Sequence, residues 1–164
     1  MKLLILIFTV CLLAACSSKP SPKKIFIVRH AEKQLTGEDP ELAYAGTVRA
    51  TKLAQILSDQ DVKHIFSTDY IRTKKTAEPT ATNAGVAIQL YQPASQDELV
   101  EMLKSLEGNI LVVGHSNTVS RLANEFSTNG EDYKDLEDIE YNYIYEVTLD
   151  EKGASVSRKT FKDY

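Results

Sequence analysis

Four short apolar runs separated by stretches of helical periodicity constrain this chain most. "KIFIV" (24–28), "HIFST" (64–68), "VAIQLY" (86–91) and "NILVVGH" (109–115) are of strand length and bounded by polar residues. Helical spacing of apolar residues fills 42–58, 69–84, 95–106 and 117–127. Repeated β-α-β units predict an α/β fold: one three-layer α/β/α domain around a mostly parallel sheet. The first and fourth runs are continuously apolar, as strands covered on both faces must be. Several helix ends are also legible. Asp69 is a predicted N-cap, Pro79 a kink and Gly85 a stop; Ser95 and Glu98 have capping-box spacing; Ser116 or Asn117 caps the last helix. The tail differs. Residues 143–161 alternate apolar and polar and turn at 150–153, which predicts a C-terminal β-hairpin.

The chain has 164 residues, 43% of them hydrophobic and 26% charged, which suits one globular domain. The net charge of −4 and the lack of basic runs argue against a nucleic-acid partner. Residues 1–15 stand apart: a positive start, then the apolar stretch "LLILIFTVCLLAA", too short to span a membrane comfortably. With Cys16 this end resembles the bacterial lipobox, in which the leader is cut before the Cys and a lipid is attached to its sulfur. The alternative is an ordinary secretory signal. The expected organisation is a signal peptide at 1–15, lipidated Cys16 with a polar tether at 16–23, and a domain at 24–164. Cys11 and Cys16 are the two cysteines, so the predicted domain has no disulfide, no thiolate nucleophile and no Cys-based metal site.

The three histidines are unequal. His30 and His115 each end a strongly apolar run, whereas His64 precedes its own. Ligands of open α/β sheets bind at the carboxyl ends of strands. If the first and fourth strands are neighbours, both imidazoles face one crevice and His64 lies at the opposite edge. Arg29 is buried at a strand end, which is costly without a partner, and a guanidinium matches phosphate oxygens bidentately. Arg72 follows the second strand at the same edge. Gly114 would admit a ligand close to the backbone, and the helix opening at Ser116 and Asn117 presents N–H groups that suit an anion.

"RHAEK", "STDYIRTKKTA" and "VVGHSN", in this order, resemble the histidine phosphatase superfamily, also called phosphoglycerate mutase-like, in its short-insert branch. The resemblance covers residues 24–127. It implies that His30 is a nucleophile forming a phosphohistidine, that Arg29, Arg72, His115 and Ser116 hold the transferred oxygens, and that no metal or other cofactor is needed. The family often places a carboxylic acid where this chain has Gln92. Asp97, Glu98 or Glu32 is the candidate replacement, or a phosphoramidate substrate makes an acid dispensable. Lys33 replaces the family's common Ser/Thr and is either a charge at the pocket mouth or a solvated residue. The expected activity is hydrolysis of a phosphomonoester or phosphoramidate, on a small molecule or a protein. The expected location is the cell envelope, lipid-anchored, outside the cytoplasm, with the outer membrane favoured where there is one. Two other readings stay open: a catalytically weak or inactive phosphate- or partner-binding lipoprotein, and a metallohydrolase, which lacks a compact ligand pair.

Overall fold

The computed structural model describes residues 22–128 and 130–164, so the leader, Cys16 and most of the tether lie outside the described residues. Ten elements follow in order: β1 (Lys23–Arg29), α1 (Tyr44–Ile56), β2 (Val62–Ser67), α2 (Ile71–Ala84), β3 (Ile88–Leu90), α3 (Gln96–Ser105), β4 (Asn109–Gly114), α4 (Ser116–Asn124), β5 (Tyr143–Asp150) and β6 (Gly153–Thr160). The six strands form one sheet in the order β3-β2-β4-β1-β5-β6. β1 to β4 run parallel; β5 returns antiparallel on β1, and β6 on β5, completing the expected hairpin.

Period-two alternation sorts the core onto two faces. Ile25, Ile27, Ile110 and Val112 pack with α3 and α4, while Phe26, Val28, Leu111 and Val113 pack with α1 and α2. β1 and β4 are direct neighbours, with Arg29 level with Gly114. The two histidines that follow these strands therefore share one sheet edge. Lys23, expected in the tether, is the first residue of β1.

The helix ends depart from local expectation. Gly85 does stop α2 in the left-handed conformation, φ 68°, where glycine is favoured. Asp69 does not cap α2; it pairs with Lys74 at 2.6 Å. The carboxylate of Asp39, a loop residue far away in sequence, accepts from the Ile71 N–H instead, at 3.0 Å. Ser95 precedes α3 without a side-chain cap. The N-cap of α4 is His115 itself, whose N–H donates to Thr118 Oγ1 at 2.9 Å.

Candidate active site

The site grows from the ends of β1 and β4. The His30 N–H donates to Gly114 O at 2.9 Å, pinning the two strand ends together. The imidazole is 4% exposed, with Nδ1 2.8 Å from the Ala31 carbonyl oxygen. A carbonyl only accepts, so Nδ1 carries the proton and Nε2 keeps its lone pair. Burial lowers the His30 pKa to about 3; the Ala31 hydrogen bond opposes this, and the charges of Arg29, Arg72 and His115 add to it. His30 is thus neutral at neutral pH, with its lone pair on Nε2.

His115 faces it, with ring centroids 5.5 Å apart. Its Nε2 lies 2.9 Å from Thr68 Oγ1, and the Tyr70 ring packs against it at 5.0 Å. Burial, followed by Arg72 and Arg29, lowers the His115 pKa to about 4, with Asp39 opposing. In the free protein His115 is therefore neutral, and the standing positive charge belongs to the guanidiniums. Gly114 leaves no room for a ligand. An added Cβ would come within 2.8 Å of the Tyr91 hydroxyl and 2.9 Å of Thr118 Oγ1, so glycine is needed there for packing.

Arg29 is 6% exposed. Its Nη1 donates to the carbonyls of Glu137 (2.7 Å), Asp138 (3.3 Å) and Glu140 (3.3 Å), and its plane lies over Tyr141 at 4.2 Å. Arg72 bonds Asp39 at 3.1 Å and lies over Tyr70 at 4.4 Å. Each guanidinium is held from one side, and each keeps a buried Nε without a hydrogen-bond partner among the described residues. Buried donors are nearly always paired, and on a cation an unpaired one costs more. Arg29 and Arg72 line the same cleft as His30, and two such orphan donors on its walls fit an anion with several oxygens.

Arg29, His30, Arg72, His115, Ser116 and Lys33 line one open cleft of about 410 Å³, walled further by Tyr70, Pro93 and Asp138. The three predicted acids do not line it. Glu32 is gripped by Arg49 through two hydrogen bonds, 2.9 and 2.6 Å. Burial raises its pKa, but the bonds and charge of Arg49 outweigh this and hold the carboxyl below its ordinary value. Asp97 and Glu98 wall a separate cleft with Arg121 and Asn124. Asp138 is the carboxylate that does border the site, 3.8 Å from Arg29 Nη2 and fully exposed. His64 bonds Glu107 O at 3.1 Å, away from the cleft.

Sequence reasoning missed Asp39, Thr68, Tyr70, Asp138 and Tyr141. Thr68 and Tyr70 lie inside the quoted "STDYIRT" run and could have been read as neighbours of Arg72. The other three arrive from distant loops and carry no local signal.

The histidine phosphatase superfamily (branch 1) matches residues 25–102 of the sequence. The matched stretch is just under half of the chain, and the architecture is consistent with the phosphoglycerate mutase-like fold. Solved structures agree on the fold. The protein histidine phosphatase SixA, solved with tungstate, superposes with a TM-score of 0.69 at 16% identity, covering 85% of this chain and 98% of its own. A mycobacterial glucosyl-3-phosphoglycerate phosphatase gives 0.65 at 11% identity, covering 85% and 98%. No curated protein matches the sequence significantly.

Proposed function

We propose that this protein is a phosphatase that transfers a phosphoryl group to His30 and then to water. The observation that carries this reading is that Arg29 and Arg72, each with a buried guanidinium Nε that has no hydrogen-bond partner among the described residues, line the same cleft as His30, whose Nδ1 is held by Ala31 O. The lone pair attacks phosphorus in line, the bond from phosphorus to the leaving group breaks, and a phosphohistidine forms. Arg29, Arg72 and the His115 imidazole meet the three equatorial oxygens, and side-chain cations supply the charge stabilisation that other phosphoryl-transfer sites take from metal ions. Water next attacks the same phosphorus, the P–N bond breaks, and phosphate leaves. The departing group takes a proton from solvent. A phosphoramidate nitrogen, or a good oxygen leaving group, suits a site where Gln92 stands in place of an acid. The open cleft accepts a phosphorylated small molecule or a protein segment.

The N-terminal sequence supports a second part of the proposal: a cell-envelope lipoprotein, anchored through Cys16 and facing outside the cytoplasm. β1 begins at Lys23 on the edge of the sheet opposite the cleft, so an anchor before it would leave the cleft unobstructed. Retention of radiolabelled fatty acid by the wild type, and its loss in Cys16→Ala, is the expected result.

The decisive experiment measures phosphate release from an aryl phosphate and from a phosphoramidate, with and without chelator, beside His30→Ala. Chelator-resistant turnover that falls at least roughly a thousandfold in the variant is expected. Undiminished turnover in His30→Ala would sink the nucleophile assignment. The absence of a carboxyl at Gln92 keeps a binding-only role as the second reading. Failure to form phosphohistidine with a reactive phosphoryl donor would favour it.

A further inference from the structure

We infer that Thr68, backed by Thr73, is a positioning residue that keeps the proton of His115 on Nε2, so that the two facing imidazoles carry opposite tautomers. His30 then offers a lone pair at Nε2 and His115 offers an N–H. The inference follows from counting protons along a buried chain. Thr73 Oγ1 lies 2.9 Å from the carbonyl oxygens of Thr68 and Tyr70. Both can only accept, so the Thr73 hydroxyl gives its single proton to the backbone. Its oxygen is left to accept, and Thr68 Oγ1, 3.0 Å away, donates to it. That uses the one proton of Thr68. The Thr68 oxygen therefore faces His115 Nε2, 2.9 Å away, as an acceptor, and Nε2 must hold the hydrogen. Both threonines are fully buried, so no bulk water competes for these positions.

The arrangement has a chemical purpose at the proposed phosphoryl site, and on that point it rests on the function proposed above. Phosphoryl oxygens of a dianion offer lone pairs only. A His115 with its proton on Nδ1 would turn a lone pair towards them and repel them, whereas an Nε2–H held by Thr68 Oγ1 can be shared with an incoming phosphoryl oxygen as a three-centre bond. At His30 the need is reversed, and Ala31 O meets it from the other ring nitrogen. One motif, "STDYIRT", thus supplies both Arg72 and the hydroxyl pair that sets its imidazole neighbour.

The test uses the full-length protein labelled with ¹⁵N-histidine, with His115→Gln to assign the resonances and tungstate as the anion. Long-range ¹H–¹⁵N spectra above pH 6.5 read the tautomer directly, and calorimetry reads tungstate affinity. The wild type should show His115 protonated at Nε2. Thr68→Val should give a tautomer mixture and weaken tungstate about tenfold, while Thr68→Ser should restore both to within about threefold. Thr73→Val touches no imidazole, yet it should free the Thr68 proton to point at His115 and move the imidazole hydrogen to Nδ1. A wild-type His115 protonated at Nδ1, or a Thr68→Val protein with unchanged tautomer and affinity, would overturn the inference. A wild type that shows the Nε2–H form but binds no tungstate would leave the tautomer assignment standing and refute the phosphoryl-site reading instead.

Discussion

β1 carries a cation at each end, and the two have opposite fates. At the amino end, Lys23 Nζ donates to the carbonyls of Leu103, Lys104 and Leu106 at 2.7–2.8 Å, closing the C-terminus of α3. Its three protons meet three acceptors. At the carboxyl end, Arg29 is more deeply buried and still keeps a buried Nε without a partner among the described residues. His64 and His115 show the same contrast across the sheet: one closes a loop through Glu107 O, and the other faces a cleft. Burial of charge alone therefore does not mark a site. A buried cation whose donors are all used is structural, and one held in place with a donor to spare is ready for a ligand.

The contrast breaks first at Arg72. Arg72→Lys keeps the charge but removes the planar fork that reaches both Asp39 and the cleft. Steady-state kinetics should show kcat/KM down roughly 100-fold or more with little change in melting temperature, on the scale of losing one preorganised donor at a transition state. A tenfold loss or less would mean that the spare Nε has no catalytic partner. The opposite end should respond the other way. Lys23→Met leaves the carbonyls of Leu103, Lys104 and Leu106 at the end of α3 without their donor, so urea unfolding should show a loss of about 1–3 kcal/mol. The turnover per folded molecule should stay unchanged. A fall in kcat would show that the two ends are coupled through β1.

The smallest expected effect concerns protons. His30 and His115 have folded pKa values of about 3 and 4, against an ordinary 6.5. Between those limits the unfolded chain binds more protons than the folded one, so stability rises with pH. The contribution is complete above pH 6.5 and is lost as pH falls towards 4. In phosphate-free buffer, unfolding free energy should drop by on the order of 2 kcal/mol between pH 6.5 and 5.5 from these two groups together. His30→Gln should flatten that slope. An unchanged slope would show that the imidazoles are not the buried neutral bases described.

Local pattern carried much of the architecture. β1 and β4 read as buried strands because both of their faces are covered, and a run of unbroken apolar residues has few other uses. The β5–β6 hairpin was legible from its alternation and its turn residues. Helix ends read less well. The cap of α2 comes from Asp39, and no window around Asp69 contains it. Arg29, His30, Arg72 and His115 were found because each sits at a strand end or just beyond it, where topology alone places ligands. Their holders were not: Arg29 is fixed by the carbonyls of residues 137–140, and Arg72 by Asp39.

The sequence by itself determined which residue types this protein brings to the carboxyl edge of its sheet. Strand and helix periods are short-range properties, and a strand end is a position on the chain. Tertiary structure decided which donors remained free there. Whether Arg29 Nε, Glu32 or His115 Nε2 has a partner depends on groups that fold in from elsewhere, the Glu137–Tyr141 turn, Arg49 and Thr68. Hydrogen-bond satisfaction is a property of the packed site, and the order of residues along the chain does not contain it.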